Sequence, residues 1–144
     1  MTRINAALLA LALVLGGVAN VHAADAQKTI FYNVTTDEAW AAGMALAQAT
    51  KALESGYGVV IFLNVRGVLL ASRTFLSDTN AQAGVSVQDQ LKGAMAKGAQ
   101  VIVCPMCLAK VGMSMDDVME GVVKGGPDTT LKAMTADGTV VISY

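Results

Sequence analysis

The sequence predicts an α/β fold: a single three-layer α/β/α domain with a mostly parallel sheet of four to five strands. Three observations lead there. Short β-branched apolar runs alternate with amphipathic helical stretches from residue 28 to the end. One of those runs, residues 59–65 (VVIFLNV), is almost continuously apolar, as a parallel strand covered on both faces must be. No internal repeat and no linker interrupts the alternation, so a single core is implied.

The first 23 residues stand outside that domain. Arg3 forms a short positive start, residues 4–18 are rich in Ala and Leu, and Val21-His22-Ala23 ends the stretch with small residues at the two positions that signal peptidase reads. The apolar run is short for a bilayer span. The expectation is a secretory signal peptide, residues 1–23, cleaved after Ala23, followed by one domain, residues 24–144. A lone arginine and the lack of a nearby cysteine point to the general secretory route and to a free periplasmic protein, with no membrane attachment after processing.

Ten Lys/Arg against eleven Asp/Glu give a formal charge of −1, and loss of Arg3 lowers it by one more unit. No basic stripe is present, so nucleic acid is not an expected partner. The only histidine, His22, leaves with the leader. Histidine-assisted catalysis and histidine-ligated metal are thereby excluded from the mature chain, and no cofactor is expected.

In chain order, residues 28–34 (KTIFYNV) form the first strand. Thr35 and Glu38 match a capping box opening a helix that runs to Glu54. Its expected stripe is Ala39, Gly43, Leu46, Thr50 and Leu53, flanked by Trp40, Met44 and Ala47. Gly56 and Gly58 stop it. The strand at 59–65 follows, then a short helical piece at 68–71 and a polar surface loop at 77–84. Ser86 caps a helix with Val87, Leu91, Ala94 and Met95 inward, ended by Gly98. After a strand at 101–103, Cys104 takes the N-cap, Pro105 the first helical position and Cys107 the third. Ser114 caps a further helix with Met115, Val118, Met119 and Val122 on its apolar side. Gly125-Gly126-Pro127 ends that helix, Asp128 or Thr129 starts a short one reaching Met134, Asp137-Gly138 turns, and residues 139–144 (TVVISY) close the sheet.

Cys104-Pro105-Met106-Cys107 carries the chemistry. Residues three apart share a helix face, which brings the two sulfurs within disulfide reach. A thiol at a strand's end and a helix's start meets free N–H groups and the dipole, both of which favour the thiolate. Sites in parallel sheets gather at the strands' C-terminal ends. Asn33, Asn64 and Arg66 are expected at neighbouring ends, the asparagines first as caps of their strand ends and only second as residues facing Cys104. A purely structural disulfide is a weaker explanation, because so small a closed loop contributes only about 2 kcal/mol.

With those residues on the page, the chain resembles the DsrE/DsrF-like family, also described as the YchN-like fold. The resemblance rests on FLNVRGVLLA at residues 62–71, the helix ending in KGAQVIVCPMC, and the terminal VVISY. It implies that a cysteine ending the strand before a helix carries sulfur as a persulfide, and Cys104 falls there by its place in VIVC. Cys107 is additional relative to cytoplasmic sulfur-relay members. The resemblance also implies a homo-oligomer, trimer or hexamer.

The favoured function is a thiol-based sulfur carrier. Cys104 is the persulfide-forming nucleophile and Cys107 the resolving thiol. The partners are a sulfur donor or acceptor protein or a small sulfane-sulfur compound. Two other readings stay open. The pair also suits dithiol–disulfide exchange. Cys104 and Cys107 with Met106 would suit Cu(I).

Overall fold

The computed structural model describes residues 28–80 and 83–144; the expected signal peptide lies outside them. Among the described residues, five strands form one wholly parallel sheet. They are β1 (Thr29–Val34), β2 (Gly58–Leu63), β5 (Gln100–Val103), β6 (Val123–Lys124) and β7 (Thr139–Ser143), in the order β6-β5-β2-β1-β7. A two-residue antiparallel pair, β3 (Thr79–Asn80) with β4 (Val85–Ser86), sits in the loop before the second helix.

Alternation along the strands sends side chains to two unequal faces. Tyr32, Val34, Val59, Ile61, Leu63, Val101 and Val103 point to the main core. There they meet α1 (Ala39–Glu54), α2 (Val87–Ala96) and the 3-10 segment Val65–Ala71. Phe31, Val60 and Ile102 point the other way, into a small cluster joined by Phe62, Ala133 and Met134. The cover on that side is thin: a π-helical turn, Pro127–Leu131, running into α4 (Lys132–Met134). The three layers are present, but the third is two turns long.

Helix α1 lies on the sheet through alanine. Ala42, Ala45, Leu46, Ala49 and Ala52 are buried, whereas Trp40 is 71% exposed and Met44 and Ala47 face outward. The buried stripe is therefore rotated from the one expected around Ala39 and Thr50. Small side chains allow a close approach, and Gly43 takes this furthest, since a Cβ there would collide with the Asn80 side chain of β3. The expected Thr35–Glu38 capping box is not formed. Glu38 is itself the N-cap, and its carboxylate accepts from the Trp40 and Ala41 N–H groups, both at 2.8 Å. Thr35 is instead drawn to the last residue, donating to the Tyr144 carbonyl at 2.6 Å.

Ser86 caps α2 as expected, accepting from the Asp89 N–H at 3.1 Å. The helix expected after Ser114 is a single 3-10 turn, Met115–Asp117. Beyond it the chain is extended. Arg73 donates to the Asp117 carbonyl and Met119 to the Ala71 carbonyl, at 2.9 and 2.8 Å. Gly121 then turns the chain at φ +85°, and β6 pairs with β5.

Two outcomes follow from these contacts. Ser86→Ala should cost about 1 kcal/mol in urea unfolding, the usual loss for a serine N-cap. The second concerns Asp37, whose carboxylate accepts two hydrogen bonds from Arg66, at 2.8 and 2.6 Å. That contact holds its pKa below the ordinary 3.8. The resulting stabilisation is complete above pH 3.8 and is lost as the pH falls through the lowered folded value. An acid titration of Arg66→Gln followed by circular dichroism should show a shallower loss of stability below pH 4 than wild type.

Candidate functional site: a thiol pair beside an apolar cavity

The site begins where β5 ends. The Cys104 N–H donates to the Leu63 carbonyl at 2.9 Å, so β2 holds the residue just past the strand. On the other side, the Gly125 N–H donates to the Val103 carbonyl at 2.8 Å. Cys104 is then the N-cap of α3 (Pro105–Lys110), with Pro105 in the first turn, as the sequence predicts. The Cys107 N–H donates to Cys104 Sγ at 3.3 Å. Helix α3 is only six residues long and Pro105 has no N–H to offer. The Cys104 sulfur is therefore met by this one directed amide rather than by a strong helix dipole.

Both cysteines are free thiols and half-buried. They differ in setting. Burial, and then the hydrogen bond to Cys104, push the Cys107 thiol above the ordinary 9.0, partly offset by the Val65 N–H. Val65 is the one non-glycine residue with positive φ among the described residues, at +48°. A β-branched side chain is disfavoured in that left-handed region. Its amide nonetheless reaches Cys107, and its side chain stays 58% exposed. Cys107 thus keeps its proton through neutral pH and can donate it toward Cys104.

Cys104 borders an open cavity of about 300 Å³ on the thinly covered face of the sheet. Phe62, Pro105 and Met106 form one wall; Pro127, Thr130 and Leu131 of the π-helical turn form the other. Gly125 and Gly126 lie between them. A side chain at 125 would place its Cβ 2.9 Å from both Thr130 Oγ1 and the Val103 carbonyl, which explains a glycine there. Thr130 is 8% exposed and its Oγ1 has no hydrogen-bond partner.

The other strand-end residues serve different ends. Asn33 accepts from Asn64 at 2.6 Å and donates to Ser143 at 3.1 Å, and Arg66 is engaged by Asp37. None of these bonds includes Cys104. Met106 is 80% exposed at the cavity, whereas Met113, Met115 and Met119 are packed against the main core. Among the described residues, no three Cys, His, Asp or Glu side chains converge as metal ligands, and no helix is long and apolar enough to cross a membrane. Sequence reasoning did not find Val65, Gly125 or Thr130. Only Gly125-Gly126-Pro127 gave a signal, as a helix stop.

The family model of DsrE/DsrF-like proteins matches residues 28–144. The chain belongs to the DsrE/DsrF-like family. Solved structures agree with this fold. The ychN protein of E. coli superposes with a TM-score of 0.65 at 20% identity, over 82% of this chain and 99% of that one. A protein of unknown function from Methanobacterium thermoautotrophicum superposes at 0.64 with 14% identity, over 82% and 100%. No curated protein sequence matches the chain. DsrE-like proteins are often connected with sulfur transfer, and in this member the two cysteines of CPMC lie in contact.

Two measurements probe the geometry of this DsrE-like site. Asparagine tolerates the left-handed region, so Val65→Asn should raise the unfolding free energy by about 1 kcal/mol in urea titration. At pH 7, limiting iodoacetamide followed by peptide mass analysis should label Cys104 ahead of Cys107, with Cys107 catching up only above pH 9.0.

Proposed function

We propose that this protein is a periplasmic sulfur carrier in which Cys104 is the persulfide-forming nucleophile and Cys107 the resolving thiol. The observation that carries this reading is the asymmetry of the pair. Cys104 accepts an amide hydrogen bond and borders open space, whereas Cys107 is held protonated beside it. The family background in sulfur transfer supports the same assignment.

In the loading step, the Cys104 thiolate attacks the outer sulfur of a sulfane donor. A bond forms between Cys104 Sγ and that sulfur, the donor's S–S bond breaks, and its electron pair leaves on the donor thiolate. No external oxidant is consumed. The loaded sulfur then leaves in one of two ways. An acceptor thiolate can attack the outer sulfur and restore the Cys104 thiolate. Alternatively, Cys107 loses its proton and attacks Cys104 Sγ, forming a disulfide and expelling hydrosulfide. The disulfide then needs a dithiol reductant, which gives up two electrons and is itself oxidised.

Intact mass spectrometry of protein purified without reductant, before and after polysulfide treatment, tests the assignment. The expected result is a gain of one sulfur on the peptide holding Cys104, retained longer in Cys107→Ser and absent in Cys104→Ser. If reduced wild-type protein gains no sulfur from polysulfide or thiosulfate, the carrier assignment fails. Equal dependence of insulin reduction on both cysteines would instead favour dithiol–disulfide exchange.

A further inference from the structure

We infer that the sulfur handled at Cys104 arrives on, or leaves with, an uncharged apolar organic group, and that this group occupies the cavity between α3 and the π-helical turn. The inference rests on the carrier reading above and names the substrate class for it.

The cavity's chemistry points to that class. At about 300 Å³ it lies near the lower end of small-molecule sites, large enough for a benzyl- or short alkyl-sized group. Among the described residues, no charged side chain lines it. Met106 and Leu131 are 80% and 56% exposed at its mouth, so apolar surface stands unsatisfied on either side of the thiol.

A dianion such as thiosulfate would need donors or cations in place of its water. The wall offers few. Pro105 has no N–H. The Gly125 N–H donates to the Val103 carbonyl, and those of Thr130 and Leu131 donate to the Gly126 carbonyl. The Cys107 N–H is directed at Cys104 Sγ.

The hydroxyl of the one threonine in the lining is closed off from the cavity. Thr130 Oγ1 is buried and unpartnered. An occupant therefore meets only apolar atoms, those of Phe62, Met106, Pro127 and Leu131 among them.

The step balances within the substrate. For an organic persulfide R–S–SH, the Cys104 thiolate forms a bond to the outer sulfur and the R–S to S bond breaks. The electron pair leaves on the R–S thiolate, which takes up the proton. Transfer in the reverse direction uses the same atoms, with R–SH as acceptor.

The test is the rate of sulfur loading on Cys104, read by rapid-quench intact mass spectrometry on the reduced protein. The donors are benzyl persulfide, 2-hydroxyethyl persulfide, thiosulfate and hydrogen polysulfide. Each rate is divided by that of a short peptide carrying CPMC, which removes the donors' intrinsic reactivity. Benzyl persulfide should then exceed hydroxyethyl persulfide and thiosulfate by about tenfold or more, the factor expected from burying an aromatic group. Leu131→Asp and Met106→Glu should each collapse that ratio, whereas Trp40→Gln, on the far side of the sheet, should preserve it. A benzyl ratio equal to the others, or one that survives both cavity substitutions, overturns this inference while polysulfide loading keeps the carrier reading. If no donor loads Cys104, polysulfide included, the carrier reading falls and this inference falls with it.

Discussion

The hydrogen bond from the Cys104 amide to the Leu63 carbonyl extends the β2–β5 ladder one residue past the strand, and the arrangement of the site depends on it. With its backbone pinned at that point, Cys104 cannot drift with the loop that follows. Pro105 then fixes the direction in which α3 departs, and one turn later the Cys107 amide returns to the Cys104 sulfur. On the opposite flank, Gly125 hydrogen-bonds to Val103 and brings the π-helical turn close enough to wall the cavity. Strand pairing thus sets the position of the Cys104 sulfur, which is the general advantage of building a site on a sheet rather than on a loop.

The two thiols differ through environment alone. Residues 28–144 hold no histidine, so no imidazole is available to activate a cysteine. Its place is taken by main-chain amides, one from Cys107 toward Cys104 and one from Val65 toward Cys107. The second costs backbone strain, because Val65 has to adopt a conformation its side chain disfavours. Strain of this kind persists where the surrounding structure over-determines it. Here the Asn64 amide bonds to Val34, and those of Arg66 and Gly67 bond to Thr35, on either side of Val65.

Much of this was legible in the sequence because local signals and tertiary structure agreed. The VVIFLNV run, the Ser86 cap and the Cys104-Pro105 turn each have one reading, and the structure follows it except at Asn64 and Val65, which leave the strand. Helix α1 was less legible. With alanine on several of its faces, its pattern fits more than one stripe, and contact with the sheet chose Ala42, Ala45, Ala49 and Ala52. Residues 115–122 carry Met and Val at spacings that suit a helix, yet the same residues suit an extended chain. Bonds to Ala71 and Arg73 and the turn at Gly121 decided for the latter, and no local pattern encodes partners that far away. The cavity was hidden for the same reason. Thr130 and Leu131 lie far along the chain from Cys104 and meet it only through the β5–β6 pairing.

The unequal faces of the sheet have a consequence for how such a protein can change over time. The large core lies between the sheet and α1 and α2, whereas the cavity side chains Met106 and Leu131 stand out in solvent on the other face. Replacing them disturbs little of the packing that keeps the chain folded. The chemistry of the cavity wall can therefore drift through many variants without passing through unfolded ones. Cys104 stays in place because the strand ladder that positions it belongs to the part that cannot drift.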